Sequence, residues 1–361
     1  MRTFDYTFDR KKCRVTIGEE TLGSAGKLIA RRRRAGKALV VSDSTVGPFY
    51  AEAVLDSLRD AGWECGLVVV PAGEDSKSLE RLAVLYDELA SMRLGREGLL
   101  VAVGGGVVSD LTGFAAATWL RGVDFAICPT TLEAAVDAAI GGKTAVNHPM
   151  GKNLIGAFHQ PTDVIVDPAC LGTLARRDRV AGLAESIKHA LIADAAFVSW
   201  HEDQRGAIRA CQPRTMEELI ARNVAIKASI VAQDARERRG IRARLNFGHT
   251  IGHAIEVSCG YALRHGECVA LGMVAAAWIS NALGLLSDAD CARVQGLVRS
   301  FDLPVRRDGL ASYETLAPYI AGDKKVAASR VRWVLLSGVG SAVIRNDVHE
   351  ETVRRAVDSL C

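Results

Sequence analysis

The chain has 361 residues, 49% of them hydrophobic and 24% charged, with 45 Lys and Arg against 42 Asp and Glu. That is about twice a single-domain length of roughly 150 residues, with the composition of a folded protein, which excludes a disordered chain and a small disulfide-stapled scaffold. A formal net charge of +3 gives no electrostatic footprint for nucleic acid.

The polar start Met1-Arg2-Thr3-Phe4 lacks a signal-peptide apolar region, and no stretch approaches the ~18 apolar residues of a membrane span. Nine cysteines without a C-x-x-C pair read as reduced thiols in the cytoplasm. Phe4, Tyr6 and Phe8, then Cys13, Val15 and Ile17, alternate with polar residues around Asp9-Arg10, which predicts an N-terminal β-hairpin. The run Arg31 to Arg34 follows a helical stretch and precedes Gly36, so it reads as a solvated helix C-terminus. Short apolar runs at 38–42, 67–70, 99–103, 125–128 and 164–166 then alternate with helix-length segments such as 49–60 and 79–92. This pattern predicts a parallel sheet covered by helices on both faces, a dinucleotide-domain architecture. Beyond about residue 170, amphipathic Ala-rich segments take over at 179–192, 216–232, 246–257, 267–283 and 288–301, with one late apolar strand at 332–336. The expected organisation is an α/β nucleotide-binding domain over 1–170 and a mainly α-helical domain over 171–361.

Gly104-Gly105-Gly106 stands between the strand ending at Val103 and a helix expected near Leu111. Glycines there let a backbone approach pyrophosphate oxygens at a helix N-terminus, although Ser109 holds the place of a third fingerprint glycine and a plain tight turn is the alternative. Asp43 ends the first parallel strand, where it suits ribose hydroxyls or simply a turn, and Thr130-Thr131 suit a ligand or a helix cap. Asp137, Lys143, Asn147, His148, Lys152 and Asn153 are interleaved with Gly141, Gly142, Gly151 and Gly156. A pocket converging on an anion accounts for that density better than a solvated loop does. His249 and His253 are i,i+4 on a predicted helix and share a face, so spacing alone makes both metal ligands; His265 follows closely. Glu185 supplies a further carboxylate, with Lys188 three residues on, a spacing that also suits a surface ion pair.

Read together, these segments resemble the 3-dehydroquinate synthase family of sugar phosphate cyclases. The resemblance is carried by Pro71-Ala72-Gly73-Glu74 with Lys77, Gly104-Gly105-Gly106 with Asp110, Pro129-Thr130-Thr131, Gly141-Gly142-Lys143-Thr144, Asn147-His148-Pro149, Gly151-Lys152-Asn153, Phe158-His159-Gln160-Pro161, Ala184-Glu185-Ser186-Ile187-Lys188, Asn246 through His253, His265-Gly266-Glu267 and Asp323-Lys324-Lys325. It implies an N-terminal nucleotide-binding domain, a helical metal domain and a homodimer. It also implies a Zn2+ or Co2+ site of Glu185, His249 and His265, which turns His253 into a substrate contact. NAD is implied at Asp43, Glu74, Lys77, Gly105, Gly106, Asp110, Thr130, Thr131, Lys143, Lys152 and Thr173. Lys143, Lys188, His253, Asn246 and Arg242 are implied as catalytic, and Arg121, Asp137, Lys152, Asn153, Lys227 and Lys325 as contacts to a small anionic sugar phosphate. The implied activity makes 3-dehydroquinate and phosphate from a heptulosonate 7-phosphate. The rivals are a cyclase acting on another sugar phosphate, a metal-dependent polyol dehydrogenase and a non-catalytic binding protein.

Overall fold

The computed structural model describes residues 1–322 and 331–361. They form two compact units, Met1–Leu174 with Met216–Arg236, and Ala175–Thr215 with Glu237–Cys361. The first unit therefore takes in a segment that the sequence reading put with residues 171–361.

The first unit opens on the expected hairpin. Strands β1 (Arg2–Phe8) and β2 (Lys11–Ile17) pair antiparallel, with Phe8 opposite Lys11. Asp9 and Arg10 between them have φ of 47° and 72°, the consecutive left-handed pair of a type I′ turn, whose twist matches that of the strands. Next come α1 (Ala25–Ala30), β3 (Lys37–Asp43), α2 (Gly47–Asp60), β4 (Glu64–Val70), α3 (Leu79–Ser91), β5 (Leu99–Gly104), α4 (Gly106–Thr118) and β6 (Asp124–Pro129). Then β7 (Lys143–His148) and β8 (Gly151–Phe158) form a separate antiparallel pair before β9 (Asp163–Val166). The main sheet has seven strands in the order β1-β2-β9-β6-β5-β3-β4, parallel from β2 onward. Every residue of β5 is buried, as its unbroken apolar run requires of a strand covered on both faces. Edge strand β4 alternates instead and leaves Val69 48% exposed. Ile29, Val54 and Leu58 pack with Val40, Val101 and Val103 in one apolar cluster.

Three expectations change here. The polar, glycine-rich stretch around Lys143 and Lys152 is a β-hairpin, whose half-exposed strands carry too few apolar residues to show a period. Helix α4 begins at Gly106, not near Leu111, so Asp110 lies inside the helix. The arginines after α1 are only partly a solvated run: Arg31 and Arg34 are exposed, but Arg32 donates to Thr162 O at 2.8 Å, and Arg33 donates to Glu97 O at 2.9 Å while its guanidinium lies 5.4 Å from the Trp63 ring centre.

The second unit contains α5 (Arg176–Ala193), α6 (Ala195–Asp203) and α7 (Arg205–Arg209). Helix α8 (Pro213–Gln233) begins at its border, and its body from Met216 belongs to the first unit. The chain continues through α9 (His249–Ser258), α10 (His265–Ala282), α11 (Asp288–Ser300), α12 (Tyr313–Gly322), the antiparallel pair β10 (Trp333–Gly338) and β11 (Ser341–Arg345), and α13 (Glu350–Asp358). Helix α10 is central and packs against α5, α9, α11, α13 and β10. No helix among the described residues is long and apolar enough to cross a membrane.

Helices α9 and α10 meet backbone to backbone, because a Cβ on Gly272 would fall 1.9 Å from Gly248 O. Gly272→Ala is therefore expected to destabilise the protein by at least about 1–3 kcal/mol through overpacking. The midpoint of denaturant unfolding checks this, and an unchanged midpoint would mean that the two helices separate without cost.

Candidate functional site

In the first unit, the glycine turn enters α4 with no side-chain cap on Gly105, so the N–H groups of the first turn have no partner within the helix. A Cβ on Gly105 would come 3.0 Å from Thr131 Cγ2, which sets this turn against the end of β6. Thr131 acts as a cap, its Oγ1 accepting from Ala134 N–H at 3.2 Å. Thr130 Oγ1 is buried and makes no hydrogen bond among the described residues. A buried orphan hydroxyl beside a close-approach glycine and an open helix N-terminus is a cradle suited to a dinucleotide's phosphates. Asp43 Oδ1 accepts from Thr45 N–H at 2.8 Å and Val46 N–H at 2.9 Å, so it does form the turn and keeps Oδ2 for a ligand. Thr173 Oγ1 lies 2.6 Å from Tyr50 Oη.

Lys77 is buried and forms an ion pair with Asp110. Burial pushes the Asp110 carboxyl above its ordinary value, and Lys77 opposes that shift. Glu74 accepts from Asn147 Nδ2 at 2.8 Å and lies 3.9 Å from Lys152 Nζ. The fold thus gathers Glu74, Lys77, Asp110, Lys152 and Asn153 around Asn147. Lys227, on α8, meets Asp137 twice, at 2.6 Å to Oδ2 and 2.7 Å to the backbone O. Lys143 is exposed at the start of β7. Arg121 is exposed and at φ 68°. Lys325 lies outside the described residues.

In the second unit, α5 places Glu185 and Lys188 in contact, each only 1% exposed. This is not the surface ion pair that the spacing also allowed. Glu185 Oε1 is 3.5 Å from His249 Nε2 and 3.5 Å from His265 Nε2. His249 Nδ1 donates to Phe247 O at 3.1 Å, which leaves the Nε2 lone pair free to face the carboxylate. Burial holds the His249 imidazole well below its ordinary pKa and therefore neutral, against the opposing pull of Glu185. His265 Nδ1 is 3.2 Å from Glu256 Oε2, the carboxylate support that typically orients a ligating imidazole. Two ligands about 2.1 Å from a tetrahedral ion stand about 3.4 Å apart, so Glu185, His249 and His265 fit a divalent metal. His253 also brings a ring nitrogen within 4.8 Å of those of His249 and His265. Arg242 is buried and Asn246 exposed on the 3-10 helix that precedes α9.

The sequence reading gives Asn147 no role of its own and does not single out Glu256. For Glu256 the signal was present, since His249, His253 and Glu256 fall at i, i+4 and i+7 on one helix. No spacing rule points to Asn147.

Comparison with known proteins shows the family. Residues 67–181 match the family described as 3-dehydroquinate synthase N-terminal, and residues 182–326 the one described as 3-dehydroquinate synthase C-terminal. A curated 3-dehydroquinate synthase from Pseudomonas aeruginosa is 44% identical over 352 residues, covering 97% of this chain and 95% of its own. Among solved structures, a 2-epi-5-epi-valiolone synthase from Streptomyces hygroscopicus with NAD+ and Zn2+ bound aligns at a TM-score of 0.89 and 28% identity, covering 100% of this chain and 98% of its own. A 2-deoxy-scyllo-inosose synthase complexed with carbaglucose-6-phosphate, NAD+ and Co2+ aligns at 0.89 and 26% identity, over 100% of both chains.

Proposed function

The chain belongs to the 3-dehydroquinate synthase family, and from that premise we propose how its residues divide the work of the reaction. The reaction converts 3-deoxy-D-arabino-heptulosonate 7-phosphate to 3-dehydroquinate and phosphate, a step of the shikimate pathway toward aromatic amino acids. The observation that carries this reading is the likeness to a 3-dehydroquinate synthase across both units. It fits a chain whose first unit has a dinucleotide cradle and whose second has a metal-ligand set.

Bound NAD supplies a hydride acceptor that is returned as a donor within one turnover, and a bound Zn2+ or Co2+ supplies Lewis acidity to a substrate hydroxyl. Glu185, His249 and His265 hold the metal. Asp43, Glu74, Lys77, Gly105, Gly106, Asp110, Thr130, Thr131 and Thr173 hold NAD, joined by Lys143 and Lys152. Arg121, Lys152 and Asn153 bind the phosphate side of the substrate. Asp137, Lys227 and Lys325 orient its hydroxyls and carboxylate. Lys188 pairs with the Glu185 carboxylate in a dry site, Arg242 and Asn246 fix the substrate's polar groups, and His253 holds or passes a proton at the ring. The departing phosphate takes the proton released beside it, so no separate base is needed at that carbon. The nine cysteines, all free, suit the reducing cytoplasm, where the protein works as a homodimer, a state that sedimentation checks.

Incubating the metal- and NAD-loaded enzyme with the heptulosonate 7-phosphate should release inorganic phosphate together with a cyclic product. Product that still carries its phosphate would overturn the assignment. Glu256→Gln is expected to weaken metal binding about 10- to 100-fold through loss of support to His265. Competition with a chromogenic chelator measures this, and unchanged affinity would remove Glu256 from the metal's surroundings.

A further inference from the structure

Asn147 has no assigned role, yet it makes three bonds to residues that do. It sits at the irregularity in the β7–β8 ladder, where the register shifts between Val146 and His148, and such a bulge re-aims a side chain. Its backbone N–H donates to Lys77 O at 2.8 Å. Its side-chain Nδ2 donates to Glu74 Oε1 at 2.8 Å, and its Oδ1 accepts from Asn153 N–H at 3.0 Å. Lys152 Nζ lies 3.9 Å from the same Glu74 oxygen. Asn153 has φ 57°, a left-handed conformation that needs such external support. A planar amide supplies the donor and the acceptor at fixed separation, which a carboxylate or a hydroxyl does not reproduce.

We infer that Asn147 is a positioning residue that couples the Glu74–Lys77 loop to Lys152 and Asn153 at the start of β8, so that the dinucleotide and the phosphoryl group each bind more tightly when the other is present. The inference rests on the assignment of NAD to the loop and of phosphate to the start of β8. Ordering either end through the amide lowers the entropy still to be lost at the other, and that coupling is reciprocal.

The test measures the dissociation constant of NAD+ by calorimetry on the metal-loaded protein, with and without saturating inorganic phosphate. The parent should show a ratio of about fivefold or more. Asn147→Asp, nearly isosteric, keeps the acceptor for Asn153 but sets two carboxylates against each other, and its ratio should fall to near one, as should that of Asn147→Ala. Combining Asn147→Asp with Glu74→Gln rebuilds the bond with donor and acceptor exchanged. The ratio should return in that double variant and persist in Glu74→Gln alone, whose amide oxygen still accepts from Asn147 Nδ2, and rescue of Asn147→Asp by a second substitution is an outcome that a general packing role for Asn147 does not produce. Matching circular dichroism spectra and melting curves confirm that the variants fold. A parent ratio near one, or an unchanged ratio in Asn147→Asp and Asn147→Ala, overturns the inference. Failure of the parent to bind either NAD+ or phosphate overturns the underlying site assignment instead.

Discussion

Glu185→Gln, His249→Ala and His265→Ala are each expected to lose bound metal and to slow phosphate release by on the order of 10³-fold or more. Three protein ligands with one position left for substrate have no redundancy, and the Lewis acidity lost with the ion is worth several kcal/mol in the transition state. Glu185 Oε1 stands 3.5 Å from both imidazole Nε2 atoms, so removing any one of the three opens the set. Glu185→Gln has a second consequence. Lys188 is buried against that carboxylate, and breaking a buried ion pair by removing one partner costs about 3–5 kcal/mol, so this variant should also melt earlier than the two histidine variants. Elemental analysis of dialysed protein reads the metal, and phosphate release reads turnover. His253→Ala should keep its metal while losing turnover. Metal loss in His253→Ala equal to that in His249→Ala, with Glu185→Gln still loaded, would replace Glu185 by His253 in the ligand set.

Much of this arrangement was legible in the residues. The β1–β2 hairpin and the buried strand β5 follow from period-two alternation and an unbroken apolar run, two patterns that depend only on which faces are buried. The histidine cluster was visible because α9 repeats every 3.6 residues and α10 begins on His265. What the pattern did not carry is equally specific. Amphipathic spacing in α8 states that one face is buried, but not against which element, so the return of Met216–Arg236 to the first unit had no local signal. The β7–β8 hairpin contains Gly151 and Gly156 and exposes Asn153, Leu154 and Phe158, so its alternation is broken where its polar groups are most needed. Arg32 and Arg33 look like surface charge until Thr162, Glu97 and Trp63 arrive from distant sequence to receive them.

One bound NAD per chain is expected to support many turnovers, with phosphate accumulating while NADH absorbance never exceeds a fraction of one equivalent of enzyme. The chemistry of the substrate requires this. Removing hydride from C5 makes a ketone that acidifies the neighbouring C–H, which lets phosphate leave with the bonding electrons; the ketone must then regain its hydride to give the final hydroxyl pattern, so net redox is zero. A polyol dehydrogenase built on a similar frame would stop after the first of these steps, and NADH would rise one-for-one with substrate whose phosphate stays attached. The proposed phosphate contacts Lys143, Lys152, Asn153 and Arg121 would give the chain a reason to hold a phosphoryl group that simple alcohol oxidation lacks. Replacing the phosphate by a phosphonate that cannot leave separates the steps. That analogue should bind tightly, release no phosphate and hold the cycle near the oxidised ketone, with NADH capped at the enzyme concentration. Continued NADH production beyond one equivalent with either compound would assign the chain to dehydrogenation, because the hydride would then be leaving the site instead of returning to the carbon it came from.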